Sequence, residues 1–308
     1  MQLKIPKNFE EKFRSILGDE YEKLVQSFKE YAKDCIRVNT LKITREELKN
    51  RLKDKEWKIE EVPWYRDAFF VETEESLAKT PEYFLGYYYI EDAASLVPPL
   101  VLDPKPGEKV LDLCAAPGSK TTMISELMKD RGIIVANDKD PSRIKALATN
   151  VQKIGATNVA ITQKDGRHFW KYGLTFDKIL LDVPCSGTGT IITNWNIMKF
   201  WSPKAVRRLS NLQKQLISSA VRMLNPGGIL VYSTCSLDPE ENEENIDWAI
   251  EKFELKILKI NIPGLNYRSG IEEWDGKNYS SDVKNCIRFY PFDNQTEGFF
   301  VCKLKKLM

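Results

Sequence analysis

The stretch Val110-Leu111-Asp112-Leu113-Cys114-Ala115-Ala116-Pro117-Gly118-Ser119-Lys120-Thr121 confines this chain to a narrow set of folds. It reads as a buried strand that stops at a Pro-Gly turn and restarts as a helix. Ser119 is the expected N-cap, so the first amides of the helix face a ligand at the strand's carboxyl end. The next apolar run, from Ile133 to Ala136, ends in Asn137-Asp138, and Asp138 comes twenty positions after Gly118. In an open α/β sheet an acid at that place binds a pair of ribose hydroxyls. Ala115 and Ala116 stand where a dinucleotide loop needs glycine for close approach to a pyrophosphate. A smaller adenosine-bearing cofactor, S-adenosylmethionine above all, suits the loop better. An ordinary βα turn is the plain alternative as long as this stretch is read alone.

Strand and helix patterns alternate on both sides of that junction. Strands are predicted at 109–114, 133–138, 158–163, 176–182, 228–234, 254–260 and 297–304, with helices at 119–130, 141–154, 203–224 and 240–253. The fold class is α/β: a Rossmann-like, seven-stranded mixed sheet whose last strand is antiparallel, preceded by a small N-terminal α+β module. Phe9, Phe13, Leu17, Tyr21, Leu24, Phe28 and Tyr31 recur at helical spacing, with a break near Gly18-Asp19. A strand at 36–41, a capped helix opened by Thr44 and strands at 58–62 and 68–71 complete the module. The expected domains are residues 1–80, a connecting segment 81–106 that contains a strand at 87–90, and a catalytic domain 107–308.

Residue usage excludes several classes of function. No stretch approaches eighteen uncharged apolar residues and the first eleven lack a signal-peptide core, so a cytoplasmic protein without membrane contact is expected. The six cysteines include no C-x-x-C pair, and His168 is the only histidine. A disulfide framework, a zinc site and a histidine-based triad are therefore disfavoured, and acid–base work falls to Asp, Lys or Cys. No heptad seam argues for an oligomer, so a monomer is expected. Charge is uneven: Arg143 to Arg222 holds thirteen Lys and Arg against three acids, whereas Asp238 to Asp282 holds twelve acids against five bases. The basic stretch interleaves Trp170, Tyr172, Trp195 and Trp201 with its cations, as polynucleotide surfaces do; solvated helix faces would look similar.

Ligands of such sheets gather at the carboxyl ends of the strands. The first strand delivers Cys114 and the Gly118 loop, the second Asp138, and the third Asp165-Gly166. The fourth delivers Asp182-Val183-Pro184-Cys185, and the fifth Ser233-Thr234-Cys235. One thiol at a strand end is more often a small buried apolar group than a nucleophile. Two thiols on adjacent strands about 4.8 Å apart, beside an acid and an adenosine site, fit methylation of carbon 5 of a pyrimidine. That carbon attacks a sulfonium methyl only after a thiolate has added to carbon 6. Asp182, hydrogen-bonded to ring nitrogen 3, assists the addition and selects cytosine, since nitrogen 3 of uracil already carries a proton. On these grounds Cys185 and Cys235 are equally placed as nucleophile.

The segments LDLCAAPGSKT (111–121), KDGR (164–167), DVPCSGTG (182–189), YSTCS (232–236) and TEGFFV (296–301), the Asp138 strand end and IRVNTLK (36–42) resemble the motif series of the Sun/NSUN-type RNA (cytosine-5)-methyltransferases. The archaeal tRNA enzymes of that family are the nearest in appearance. The resemblance implies that Cys235 attacks carbon 6, that Cys185 assists release of the product, that Asp182 holds the cytosine and that Lys120 orients the reacting groups. It also implies an S-adenosylmethionine site made by Cys114, Ala115, Ala116, Pro117, Gly118, Ser119 and Lys120 with Asp138, Arg143, Asp165, Gly166 and Asp182. RNA is the expected partner, tRNA before ribosomal RNA, with no metal. The family often carries Arg-x-x-Pro-His before TEGFF; here Arg288-Phe289-Tyr290-Pro291-Phe292 leaves that histidine without a counterpart. A catalytically idle RNA-binding factor is one alternative. An amino-group methyltransferase is the other, although the Asp182-Val183-Pro184-Cys185 strand end lacks the aromatic residue such chemistry favours.

Overall fold

The computed structural model describes residues 5–30 and 32–308. Tyr31, the last position of the N-terminal stripe, lies outside them. The stripe folds as two helices, Lys7–Leu17 and Tyr21–Ser27, joined by a single turn at Gly18–Glu20. A four-stranded antiparallel sheet follows, made of β1 (Cys35–Val38), β2 (Lys58–Glu61), β3 (Ala68–Glu72) and β4 (Tyr88–Ile90) in the order β2-β3-β1-β4. The helix Arg45–Asp54 covers one face and starts at a reciprocal capping box between Thr44 and Glu47. Strand β4 falls within the segment 81–106, yet it pairs with β1 through Arg37 and Tyr89. Ile36, Val38 and Tyr88 bury their side chains together with Leu48 and Leu52, which fixes that register.

The two N-terminal helices do not cover this sheet. Phe9, Phe13, Leu24 and Phe28 pack instead with Ile191, Met198, Trp201 and Leu237, in loops and a short helix of the large domain. That domain is built on β5 (Lys109–Asp112), β6 (Ile133–Asp138), β7 (Val159–Gln163), β8 (Phe176–Asp182), β9 (Leu224–Thr234), β10 (Leu255–Leu258), β11 (Arg268–Ser269), β14 (Ile287–Phe289) and β15 (Phe299–Lys306). Strands β12 (Glu273–Trp274) and β13 (Lys277–Asn278) form a separate two-stranded ladder.

The large sheet runs β7-β6-β5-β8-β9-β15; β14 and β10 divide the far edge of β15 and β11 lies beyond β14. Strands β5 to β9 are parallel and β15 is antiparallel to β9. All seven expected strands form, and the short β11 and β14 bring the sheet to nine. Alternation along each strand splits the core in two. Val110, Leu180 and Val231 face Val97, Val101 and the helix Ser119–Leu127 through Met123 and Ile124. Leu111, Ile179, Leu181 and Tyr232 face the helices Pro203–Met223 and Glu243–Lys252 through Leu216, Ile217 and Ile246.

Arg37 fastens the small sheet to the large one. Its fully buried guanidinium donates to Glu91 Oε1 at 2.7 Å and to Thr122 Oγ1 at 2.9 Å, and it pairs with Glu126. Burial pushes the Glu126 carboxyl up to about 7 even with that partner. Removing one member of such a group strands the others without compensation. Arg37→Met is therefore expected to lower unfolding free energy by about 3 kcal/mol, read as an earlier urea midpoint.

Candidate active site

Gly118 makes the turn between β5 and its helix at φ +107°, and a Cβ there would meet Leu147 Cδ1 at 2.9 Å. Gly118 is the N-cap and Ser119 the first helical residue, in place of the Ser119 cap expected from sequence. The cause is a tertiary contact: the Ser119 hydroxyl is drawn off to donate to Glu91, which Arg37 already holds. Asp138, at the tip of β6, is buried; its Oδ2 accepts from the Ala116 amide at 3.3 Å and its Oδ1 from the Asp140 amide at 3.0 Å. Arg143 lies 3.5 Å from the same carboxylate and donates to the Ala116 carbonyl, so it braces the loop.

Asp165 starts the turn after β7 by accepting from the Arg167 amide at 3.0 Å, and hydrogen bonding to the Arg167 side chain pulls its carboxyl down to about 2. Leu113, Cys114, Asp138, Arg143, Asp165 and Gly166 line one cleft, closed by Pro184, Leu212 and Leu216. Burial, with Asp112 and Asp138 nearby, pushes the Cys114 thiol up, so that sulfur is a neutral wall. An acid beside the glycine loop, apolar side walls and a second carboxylate across the cleft fit a ribose and a flat heteroaromatic ring.

The residues expected to carry the chemistry lie at the neighbouring strand tips. Parallel pairing of β8 with β9 sets Asp182 opposite Ser233, and the two loops that follow bring Cys185 Sγ and Cys235 Sγ to 3.2 Å. The hydrogen bond to Cys235, then burial, pushes the Cys185 thiol well up. Either sulfur can donate to the other at this distance. Lys120 Nζ reaches Asp182 Oδ2 at 2.7 Å, and Ser233 Oγ donates to Asp182 Oδ1 at 2.7 Å. Burial opposes the Lys120 charge, but the charge and hydrogen bond of Asp182 outweigh it and hold the ammonium above its ordinary range. Lys120 also lies 5.4 Å from the centre of the Phe299 ring.

Beneath the thiols lies a layer that the sequence did not reveal. In the acidic stretch after Cys235, which the sequence marks only by its charge, Asp238, Glu241, Asn242, Glu243 and Asn245 are all buried. The available signal was its position: the run follows a thiol-bearing strand end directly and contains Pro239. Glu241 accepts from the Ser186 amide at 3.0 Å and from Gln213 at 2.7 Å, and burial pushes its carboxyl up to about 7. Trp201, grouped with the surface aromatics of the basic stretch, is core instead, with its Nε1 donating to Asp238. Trp170, Tyr172 and Trp195 do reach solvent, as does Phe200 at 79 % exposure. Among the described residues no helix is long and apolar enough to cross a membrane, and no group of three or more metal-ligating side chains is found.

A parallel-dominated sheet that ends in an antiparallel strand, with a cleft that fits an adenosine beside two thiols on neighbouring strand tips, is the architecture of an S-adenosylmethionine-dependent methyltransferase. Residues 99–305 match the model of the 16S rRNA methyltransferase RsmB/F family, and residues 5–93 that of the N-terminal domain of 16S rRNA methyltransferase RsmF. The chain belongs to the RsmB/F family. It is 40% identical over 310 residues to the tRNA (cytosine(49)-C(5))-methyltransferase of Pyrococcus abyssi, a match covering 97% of this chain and 99% of that protein. It is 37% identical to the ribosomal RNA small subunit methyltransferase F of Vibrio parahaemolyticus, of which the match spans only 63%. The structure of NSun6 from Pyrococcus horikoshii with SFG, an S-adenosylmethionine analogue, superposes with a TM-score of 0.87 at 27% identity, covering 98% of each chain.

Proposed function

We propose that this RNA (cytosine-5)-methyltransferase acts on tRNA, as a cytoplasmic monomer, through a covalent adduct between Cys235 and carbon 6 of the target cytosine. The observation that carries the mechanism is the 3.2 Å approach of two sulfurs beside the Lys120–Asp182 pair. The preference for tRNA rests on the near full-length likeness to the P. abyssi enzyme.

Cys235 is the attacking sulfur and Cys185 the assisting one, the roles that the resemblance of YSTCS (232–236) and DVPCSGTG (182–189) to the family's motifs implies. As the S–C6 bond forms, the thiol proton of Cys235 passes to Asp182 and from it to nitrogen 3, and the C5=C6 electron pair moves toward carbon 5. When bound, S-adenosylmethionine supplies the electrophilic methyl group that carbon 5 takes up. Nitrogen 3 then returns its proton to Asp182, which releases it to solvent as the one proton the substitution sets free. Cys185 passes its own proton to the departing Cys235 sulfur and takes the carbon 5 proton in its place; the C5–H electron pair becomes the C5=C6 bond and the S–C6 pair returns to sulfur. Lys120 holds Asp182 in place throughout. Asp138 takes the ribose hydroxyls, Arg143 braces the loop, Asp165 accepts from the adenine amino group, and Cys114 to Ser119 with Gly166 line the rest of the cofactor. The solvent-facing aromatics Trp170, Tyr172 and Phe200, with nearby cations, form a surface for RNA, from which the target base must be turned out to reach the thiols.

Bisulfite mapping of total RNA after incubation with the protein and S-adenosylmethionine tests the substrate. New 5-methylcytosine confined to tRNA supports the proposal, and signal confined to small-subunit ribosomal RNA overturns it. For the cofactor site, Asp138→Ala is expected to weaken S-adenosylmethionine binding by about 10- to 100-fold, the loss of one or two charge-assisted hydrogen bonds. Titration calorimetry reads that change, while RNA affinity stays the same.

A further inference from the structure

The residue after each site cysteine is a serine, and Ser186 Oγ and Ser236 Oγ lie 2.9 Å apart. Asp238 Oδ2 is within hydrogen-bond distance of both, at 3.2 Å each, and accepts from Thr188 Oγ1 at 2.8 Å. Glu241 takes the Ser186 amide on one side and Ser236 Oγ, at 3.0 Å, on the other. The Gly189 amide adds a backbone link to the Cys235 carbonyl at 2.8 Å. The two thiol-bearing loops therefore rest on one polar layer, and the spacing of the sulfurs is inherited from it.

That layer is completed from outside the catalytic domain. Lys12, on the helix Lys7–Leu17, places Nζ 2.5 Å from Asp238 Oδ1 and 2.6 Å from Glu240 Oε2. Its side chain is 9% exposed and that of Asp238 is fully buried. On the same helix Phe9 packs edge-on against Trp201 at 5.1 Å, and Trp201 Nε1 donates to Asp238 as well. The helix thus presents one ammonium to the interior, where it cannot serve as a phosphate contact. Without that charge Asp238 would be a buried anion facing Glu240 and Glu241, and the hydroxyls it gathers would lose a fixed acceptor.

We propose that Lys12 is a positioning residue for methyl transfer, holding Asp238 so that the Ser186–Ser236 bridge keeps the Cys185 and Cys235 sulfurs in register. This inference rests on the thiol reading given above. It makes the N-terminal helices part of the catalytic apparatus, in addition to any part they take in holding RNA.

The test is single-turnover methyl transfer by the full chain at saturating S-adenosylmethionine and tRNA, comparing wild type with Lys12→Met and Lys12→Arg. The expected result is a rate constant lowered at least about tenfold in Lys12→Met, the loss of one charge-assisted contact. RNA and cofactor affinities should stay within about twofold, and Lys12→Arg should recover much of the rate. A folded Lys12→Met protein that transfers at the wild-type rate, or one whose whole defect is weaker RNA binding, overturns the inference. Should Lys12→Met fail to fold, the double variant Lys12→Gln/Asp238→Asn leaves no charge in either place. It should be similarly slow, because one amide oxygen cannot serve the hydroxyls that Asp238 gathers, and a wild-type rate in it is equally fatal. Cys235→Ala in the same assay separates the two failures: retained transfer there overturns the thiol assignment, whereas wild-type rates in the Lys12 variants overturn only the role of Lys12.

Discussion

Cys235→Ala is expected to abolish methyl transfer, and Cys185→Ala to accumulate a covalent protein–RNA complex that survives denaturing electrophoresis. The two outcomes differ because the two sulfurs, though 3.2 Å apart, act at different steps in the proposed reaction. Without Cys235 no bond forms at carbon 6 and carbon 5 stays a poor nucleophile. The loss should be on the order of 10⁴-fold or more, the scale found when a nucleophile is removed from other covalent enzymes. Without Cys185 the addition still proceeds, but the proton relay that expels Cys235 is broken and the adduct persists. The gel band should retain labelled methyl, which places the block after transfer. Transfer at wild-type rates in Cys235→Ala, or a trapped complex in that variant and none in Cys185→Ala, reverses or removes the assignment.

The sheet was legible in the sequence because its central parallel strands are largely buried and read as continuous apolar runs, bounded by turns and capped helices. Those runs located both thiols and the cleft acids Asp138 and Asp165. What escaped notice depends on tertiary partners. Strands β11 and β14 are two and three residues long and exist only as ladders against longer strands. The N-cap is Gly118 in place of Ser119 because Glu91, distant in sequence, captures the serine hydroxyl. The carboxylates Asp238 and Glu241 look like solvent-facing charge until Lys12, Ser186 and Gln213 are seen to satisfy them. Trp201 failed as a surface aromatic for the same reason, since the N-terminal helices cover it. Sequence separation hid the partners, and without the partners a charged or aromatic residue is assigned to water.

Lys120→Met is expected to slow methyl transfer about a thousandfold, at the upper end of what removal of one preorganised charged donor does in an enzyme site. Lys120 is the cation set among Asp182, Glu91 and Asp112, and its ammonium stays protonated well above neutral pH. A lysine raised in this way contributes stability that is complete below its unfolded value and lost only at strongly alkaline pH. The pair should therefore leave wild-type stability flat near neutrality. The variant behaves differently. Burial already holds Asp112 up to about 7, and burial raises Glu297 too, with Lys120 the charge that opposes the rise in both. Loss of the ammonium raises them further. A carboxyl group whose folded value exceeds its unfolded one keeps an extra proton when folded, so its stabilising contribution falls as pH climbs from about 4 through the folded value. Lys120→Met should accordingly lose several degrees more in melting temperature than wild type between pH 5.5 and pH 8.5. Thermal scans across that range decide the matter: parallel pH profiles for the two proteins would mean that Lys120 does not govern the charge state of the acids around it.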